Sequence, residues 1–116
     1  MLHTGGTFAS RVDYKTGAVS ASFNPEDIIK IVPEIKDIAN LKSRLVRNMF
    51  SEDMNFNHYN LLAKEIESEI NSGKCDGIII NHGTDTMHYT SMALGFMINN
   101  LNVPVIITGA KRSSDR

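Results

Sequence analysis

The sequence predicts an α/β fold built on a parallel sheet, and three observations carry that prediction. Short apolar, β-branched runs bounded by glycine or proline recur at Gly77-Ile78-Ile79-Ile80 and Val103-Pro104-Val105-Ile106-Ile107-Thr108, as strands buried on both faces require. The stretches between the strands repeat their apolar residues at the three- and four-residue spacing of helices. A polar cluster, often with glycine, follows each strand. Strands alternating with helices form parallel βαβ units with right-handed crossovers. All carboxyl ends of the strands then lie on one sheet edge, where loops converge and ligands bind.

Met1-Leu2-His3 reads as the end of a strand, and Thr4-Gly5-Gly6-Thr7 as a tight turn presenting Thr4 and Thr7. Ala9 to Phe23 keeps no period and reads as a loop, a candidate lid carrying Tyr14. Asn24-Pro25-Glu26-Asp27 starts a helix that Pro33 ends, and a further helical turn is expected over Glu34 to Ala39. Leu41 to Asn48 alternates weakly, as a strand does, and leads into the polar cluster Ser51-Glu52-Asp53. From Asn57, the positions Tyr59, Leu62, Ala63, Ile66 and Ile70 form one face of an amphipathic helix that Gly73 terminates.

The apolar run at 77–80 is followed by Asn81-His82-Gly83-Thr84-Asp85-Thr86, where chemistry is expected. The plainer reading is that Thr84 or Asp85 caps the next helix. That helix carries Met87, Ser91, Leu94 and Ile98 on one face, has methionines expected to fill core, and ends at Asn99-Asn100. The second buried strand, over 103–108, leads into Gly109-Ala110-Lys111-Arg112. The edge is therefore expected to gather Thr4 to Thr7, Ser51 to Asp53, His82 to Asp85 and Thr108 to Arg112.

At 116 residues the chain suits one domain or part of one. Its 41% hydrophobic and 22% charged residues match an ordinary folded domain. Twelve basic against thirteen acidic residues provide no global field to hold nucleic acid. Cys75 alone excludes an internal disulfide, no run approaches the ~20 apolar residues of a membrane span, and no secretory leader is legible. A cytoplasmic location without membrane contact is expected.

A threonine hydroxyl needs a base or proton relay to become a nucleophile. Backbone N–H groups near Gly6 or Gly83 suit an oxyanion, and Asp85 suits an α-ammonium group or a basic partner. Lys111 is the one nearby lysine for a Thr-Asp-Lys relay. The Thr-Gly-Gly-Thr turn fits neither phosphate-loop pattern, and His82 and His88 miss the i, i+4 spacing of a zinc helix, so no metal is expected. Lys111, Arg112 and Arg116 read more simply as a solvated loop than as an RNA contact.

Taken together, HTGGTFAS, VPEIKDIANL, FSEDM, DGIIINHGTDTMHYTS and PVIITGAKRSSDR resemble the bacterial-type L-asparaginase/glutaminase family along nearly the whole chain. SRVDYKTGAV, Glu52, MHYTS and RSSDR are most similar to that family's branch of D subunits of archaeal glutamyl-tRNA(Gln) amidotransferases. The resemblance implies a three-layer N-terminal domain of which residues 1–116 are a part. It maps the nucleophile to Thr7, the lid tyrosine to Tyr14, and the second threonine with its aspartate to Thr84 and Asp85. Ser51 and Glu52, with Gly83, map to substrate binding. Glu52 replaces the asparaginase glutamine, which turns expectation from asparagine toward glutamine.

The implied reaction strips ammonia from glutamine through an acyl-enzyme. A partner, the E subunit of such amidotransferases, would use ATP and Mg to activate glutamate on tRNA(Gln), while this chain itself needs no cofactor. A homodimer of the full-length chain is implied as well. The family's catalytic lysine lies beyond residue 116, so Lys111 cannot complete the relay, and the isolated fragment is expected to have little activity. The alternatives are a free-standing L-asparaginase and a noncatalytic interaction fragment.

Overall fold

A computed structural model describes residues 1–6, 11–20, 30 and 32–112. Its centre is a parallel four-stranded sheet made of β1 (Leu2–Gly5), β4 (Arg44–Met49), β5 (Ile78–Asn81) and β6 (Val105–Thr108), arranged in the order β4-β1-β5-β6. The register pairs Leu2 with both Arg44 and Ile80, and Ile80 with Ile107. It slips between His3 and Gly5, where β1 meets Met49. The parallel α/β expectation is met. The first strand runs further than expected, through Thr4 and Gly5, because the ladder to β4 continues to the glycine pair.

Period-two side chains sort the sheet's faces. Leu2, Val46, Ile78, Ile80, Val105 and Ile107 share a core with Leu62, Ala63 and Ile66 of helix α2 (Phe56–Asn71) and with Leu94 of α3 (Met87–Met97) and Ile98 beyond it. The alternate positions Leu45 and Ile106 are 40% and 56% exposed. Among the described residues β6 is thus an edge strand, half-exposed where burial on both faces was expected.

Helix α2 begins one residue before the expected Asn57. Asn55 caps it, its Oδ1 accepting from the Asn57 N–H at 3.1 Å, while His58 Nδ1 accepts from the Asn55 N–H at 3.2 Å. Gly73, at φ +64°, stops it as expected. In α3 the buried positions are Thr90 and Leu94, with Ser91 turned out and bonded to the Met87 carbonyl. Met92 and Met97 are exposed, which corrects their reading as core filler. The helix's apolar residues surround it, so the periodicity put Ser91 on the buried face where the structure buries its neighbour Thr90.

The stretch read as a loop and candidate lid contains an antiparallel ribbon, β2 (Arg11–Val12) and β3 (Val19–Ser20). Asp13 folds its turn by accepting from the Lys15 N–H at 2.9 Å and the Thr16 hydroxyl at 2.8 Å, and Gly17 supplies φ +70°. A four-residue helix, α1 (Ile35–Ile38), fulfils the helical turn expected after Pro33. The helix expected from Asn24 to Val32 falls almost wholly outside the described residues.

Candidate active site

The carboxyl edge of the sheet brings four loops into contact, and glycine makes the contact possible. Gly5 and Gly6 turn the chain out of β1 at φ +108° and +77°, a region side chains disfavour. A Cβ on Gly6 would lie 2.7 Å from Gly83 Cα, and a Cβ on Gly83 would lie 2.7 Å from Ser51 Cβ and 2.8 Å from its Oγ. A Cβ on Gly109 would stand 2.5 Å from the His82 carbonyl oxygen and 3.0 Å from Thr84 Cγ2. The turn after β1, the 3-10 turn Ser51–Asp53 after β4, the loop after β5 and the loop after β6 are therefore packed too closely for side chains between them.

Hydrogen bonds fix this junction. Thr86 Oγ1 donates to the Ser51 carbonyl at 2.7 Å, joining the loops after β4 and β5. The His82 N–H donates to the Thr108 carbonyl at 2.8 Å, joining those after β5 and β6. Ser51 is buried, and its hydroxyl donates to Glu52 Oε2 at 3.3 Å while Glu52 itself is exposed. A carboxylate at this mouth favours a cationic group such as an α-ammonium.

Thr84 is half-buried and Asp85 exposed, and neither caps α3. The N-cap is Thr86, with its hydroxyl committed to Ser51, so the plainer reading of Thr84 and Asp85 fails. Among the described residues, no acceptor takes the N–H of Gly83, Thr84 or Asp85. Backbone donors left open at a sheet edge suit an anionic or carbonyl oxygen. By contrast, the Gly6 N–H donates to the Met49 carbonyl at 3.2 Å, which removes Gly6 itself from the expected oxyanion donors. Thr4 also turns inward, its hydroxyl donating to the Asn81 carbonyl at 3.1 Å.

The profile described as asparaginase, N-terminal, matches residues 1–116. The chain belongs to the asparaginase family. It is 54% identical to the D subunit of the glutamyl-tRNA(Gln) amidotransferase of Pyrococcus furiosus and 53% identical to that of Methanococcus maripaludis, in each case over all of this chain. It covers 26% and 27% of those proteins, so it spans about a quarter of the length of the curated relatives it matches. Among solved structures, the thermostable L-asparaginase of Thermococcus kodakarensis superposes with a TM-score of 0.81 at 31% identity, over 99% of this chain and 34% of that one. L-asparaginase I of Vibrio cholerae superposes with a TM-score of 0.77 at 32% identity, over 99% and 34%.

Of the residues that the asparaginase resemblance singles out, Ser51, Glu52, Gly83, Thr84 and Asp85 lie on loops of this one junction. Thr7 lies outside the described residues, one position beyond Gly6. Tyr14 stands at the tip of the β2–β3 ribbon, 74% exposed. Lys111 is exposed on the loop after β6, without an ion pair to Asp85. Among the described residues, no three His, Cys, Asp or Glu side chains are grouped to hold a metal ion, and no helix is long and apolar enough to cross a membrane.

Reading the sequence placed His82 and Thr86 in the run at 81–86 without the bonds they make, and it did not single out Thr90. Thr86 read only as the end of a motif. His82 and Thr90 are wholly buried polar residues eight positions apart. The one signal that points to them is a hydroxyl on a helix face that otherwise needs apolar residues. Burial lowers the pKa of His82, against the raising effect of its bond to the Gly83 carbonyl, and so favours the neutral ring.

Proposed function

We propose that this chain supplies the nucleophile-bearing half-site of an amidohydrolase component that releases ammonia from glutamine for conversion of Glu-tRNA(Gln) to Gln-tRNA(Gln). The observation that carries the reading is the meeting of Gly6, Ser51 and Gly83 at one sheet edge, beside backbone donors left open at Gly83, Thr84 and Asp85. The identity with amidotransferase D subunits over the whole chain supports the choice of reaction.

In this reading the Thr7 hydroxyl attacks the side-chain amide carbon of glutamine. Its proton passes through a relay containing Thr84 and Asp85 to the departing nitrogen, which leaves as ammonia. Water then hydrolyses the threonyl ester to release glutamate. Open N–H groups at 83–85 stabilise developing negative charge, Ser51 and Glu52 hold the amino-acid end, and Tyr14 closes with its ribbon. A lysine other than Lys111 completes the relay from elsewhere in the enzyme. This chain needs no cofactor; a second polypeptide, the amidotransferase's E subunit, uses ATP and Mg, receives the ammonia and engages tRNA(Gln). The full-length enzyme acts as a cytoplasmic homodimer.

A free-standing L-asparaginase is the second reading, favoured by the superposition on solved L-asparaginases. Ammonia release from glutamine and from asparagine separates the two, measured on the full-length enzyme with and without its partner and Glu-tRNA(Gln). Glutamine turnover stimulated by both additions supports the amidotransferase. Partner-independent asparagine turnover supports the asparaginase, and no ammonia from either amide sinks both readings.

A further inference from the structure

The loop that carries Thr84 and Asp85 is braced from beneath by a buried pair that the reaction above does not use. His82 and Thr90 are both fully buried. His82 Nδ1 lies 2.7 Å from the Gly83 carbonyl oxygen, and His82 Nε2 lies 2.9 Å from Thr90 Oγ1. A carbonyl can only accept, so Nδ1 carries the proton. Nε2 then accepts from the Thr90 hydroxyl, and the ring is held in one neutral tautomer. Thr90 sits on the first turn of α3, so the chain of bonds runs from helix to imidazole to the peptide group joining Gly83 and Thr84.

We infer that His82, held by Thr90, is a positioning residue that aims the Thr84 backbone N–H and the residue it belongs to. The inference rests on the amidohydrolase reading. A trans peptide is planar, with its C=O and N–H pointing opposite ways. Pinning the Gly83 oxygen to the buried ring therefore turns the Thr84 N–H away from the core, and no described acceptor takes that N–H. Without the brace, the peptide between a glycine and a threonine is free to rotate, and a donor displaced by about an ångström loses on the order of 10²-fold in rate.

The test compares Thr90→Val, which keeps the shape and removes the hydroxyl, with Thr90→Ser, and His82→Leu with His82→Asn, whose amide can still donate to the Gly83 carbonyl. Ammonia release by the full-length enzyme is measured for each, and rates are referred to the folded fraction from circular dichroism. Thr90→Val and His82→Leu are expected to lower kcat on the order of 10²-fold with KM little changed, while Thr90→Ser stays close to wild type and His82→Asn, which keeps the bond to the Gly83 carbonyl but not the one to Thr90, loses less than His82→Leu. Wild-type kcat in folded Thr90→Val, or a loss in His82→Asn as deep as in His82→Leu, overturns the inference alone. If Thr90→Val fails to fold, the His82 pair and Thr90→Ser decide it. Absence of ammonia release by the wild type overturns the amidohydrolase reading instead.

Discussion

At the scale of single residues, the junction depends on atoms that are missing. Gly83→Ala would set a methyl 2.7 Å from Ser51 Cβ, where the nearest atoms are a short side chain with no rotamer that removes its Cβ. Separation of the loops is expected, with a stability loss of about 1–3 kcal/mol by urea denaturation and loss of amide hydrolysis; unchanged stability and turnover would refute the close packing. The motif around Gly83 was legible, since glycine before a threonine and an aspartate after an apolar run announces a loop under chemical demand. The specific demand was not, because no local pattern connects Gly83 with the distant Ser51.

A second residue-scale prediction concerns His3. Its Nδ1 accepts from Asn81 Nδ2 at 3.2 Å, so Nε2 donates to Ser43 Oγ at 2.6 Å. Burial lowers its pKa below the usual histidine value. Above pH 6.5 the ring is neutral folded and unfolded, and contributes no pH dependence. As pH falls from 6.5 toward 4 the unfolded chain takes the proton and the folded one resists it, so stability declines over that window. His82 adds in the same direction. Denaturation midpoints across this range should fall more steeply for wild type than for His3→Gln, and parallel curves would contradict the assignment.

At the scale of elements, α2 shows what periodicity can and cannot tell. Its buried face, Leu62, Ala63 and Ile66, follows the three-four spacing and was legible. Its start was placed late because the cap is an asparagine upstream of the expected start, paired with a histidine in place of the usual glutamate or glutamine. Asn55→Ala is expected to cost about 1 kcal/mol in chemical denaturation, and no cost would remove the cap's role. In α3 apolar residues surround the helix, with Tyr89, Met92 and Phe96 exposed, and of the expected face Leu94 and Ile98 are buried while Ser91 is exposed. The ribbon at 11–20 escaped notice because its strands are two residues each and its turn depends on Asp13 side-chain bonds.

At the scale of the whole molecule, the topology places the post-strand loops on one edge and makes a site from segments scattered between Gly5 and Gly109. That much followed from alternating strands and helices, since parallel connection leaves no other place for the loops. Which face of β6 stays open did not follow, because a run of β-branched residues reads the same in a central strand as in an edge strand. The central claim is that this edge hydrolyses an amide, and its most direct measurement is ammonia release by the full-length enzyme carrying Thr84→Ala or Thr7→Ala. Thr84→Ala is predicted to lower kcat by roughly 10²- to 10⁴-fold, as loss of a proton-relay group does, and Thr7→Ala to abolish turnover. Wild-type rates in both variants would contradict the account.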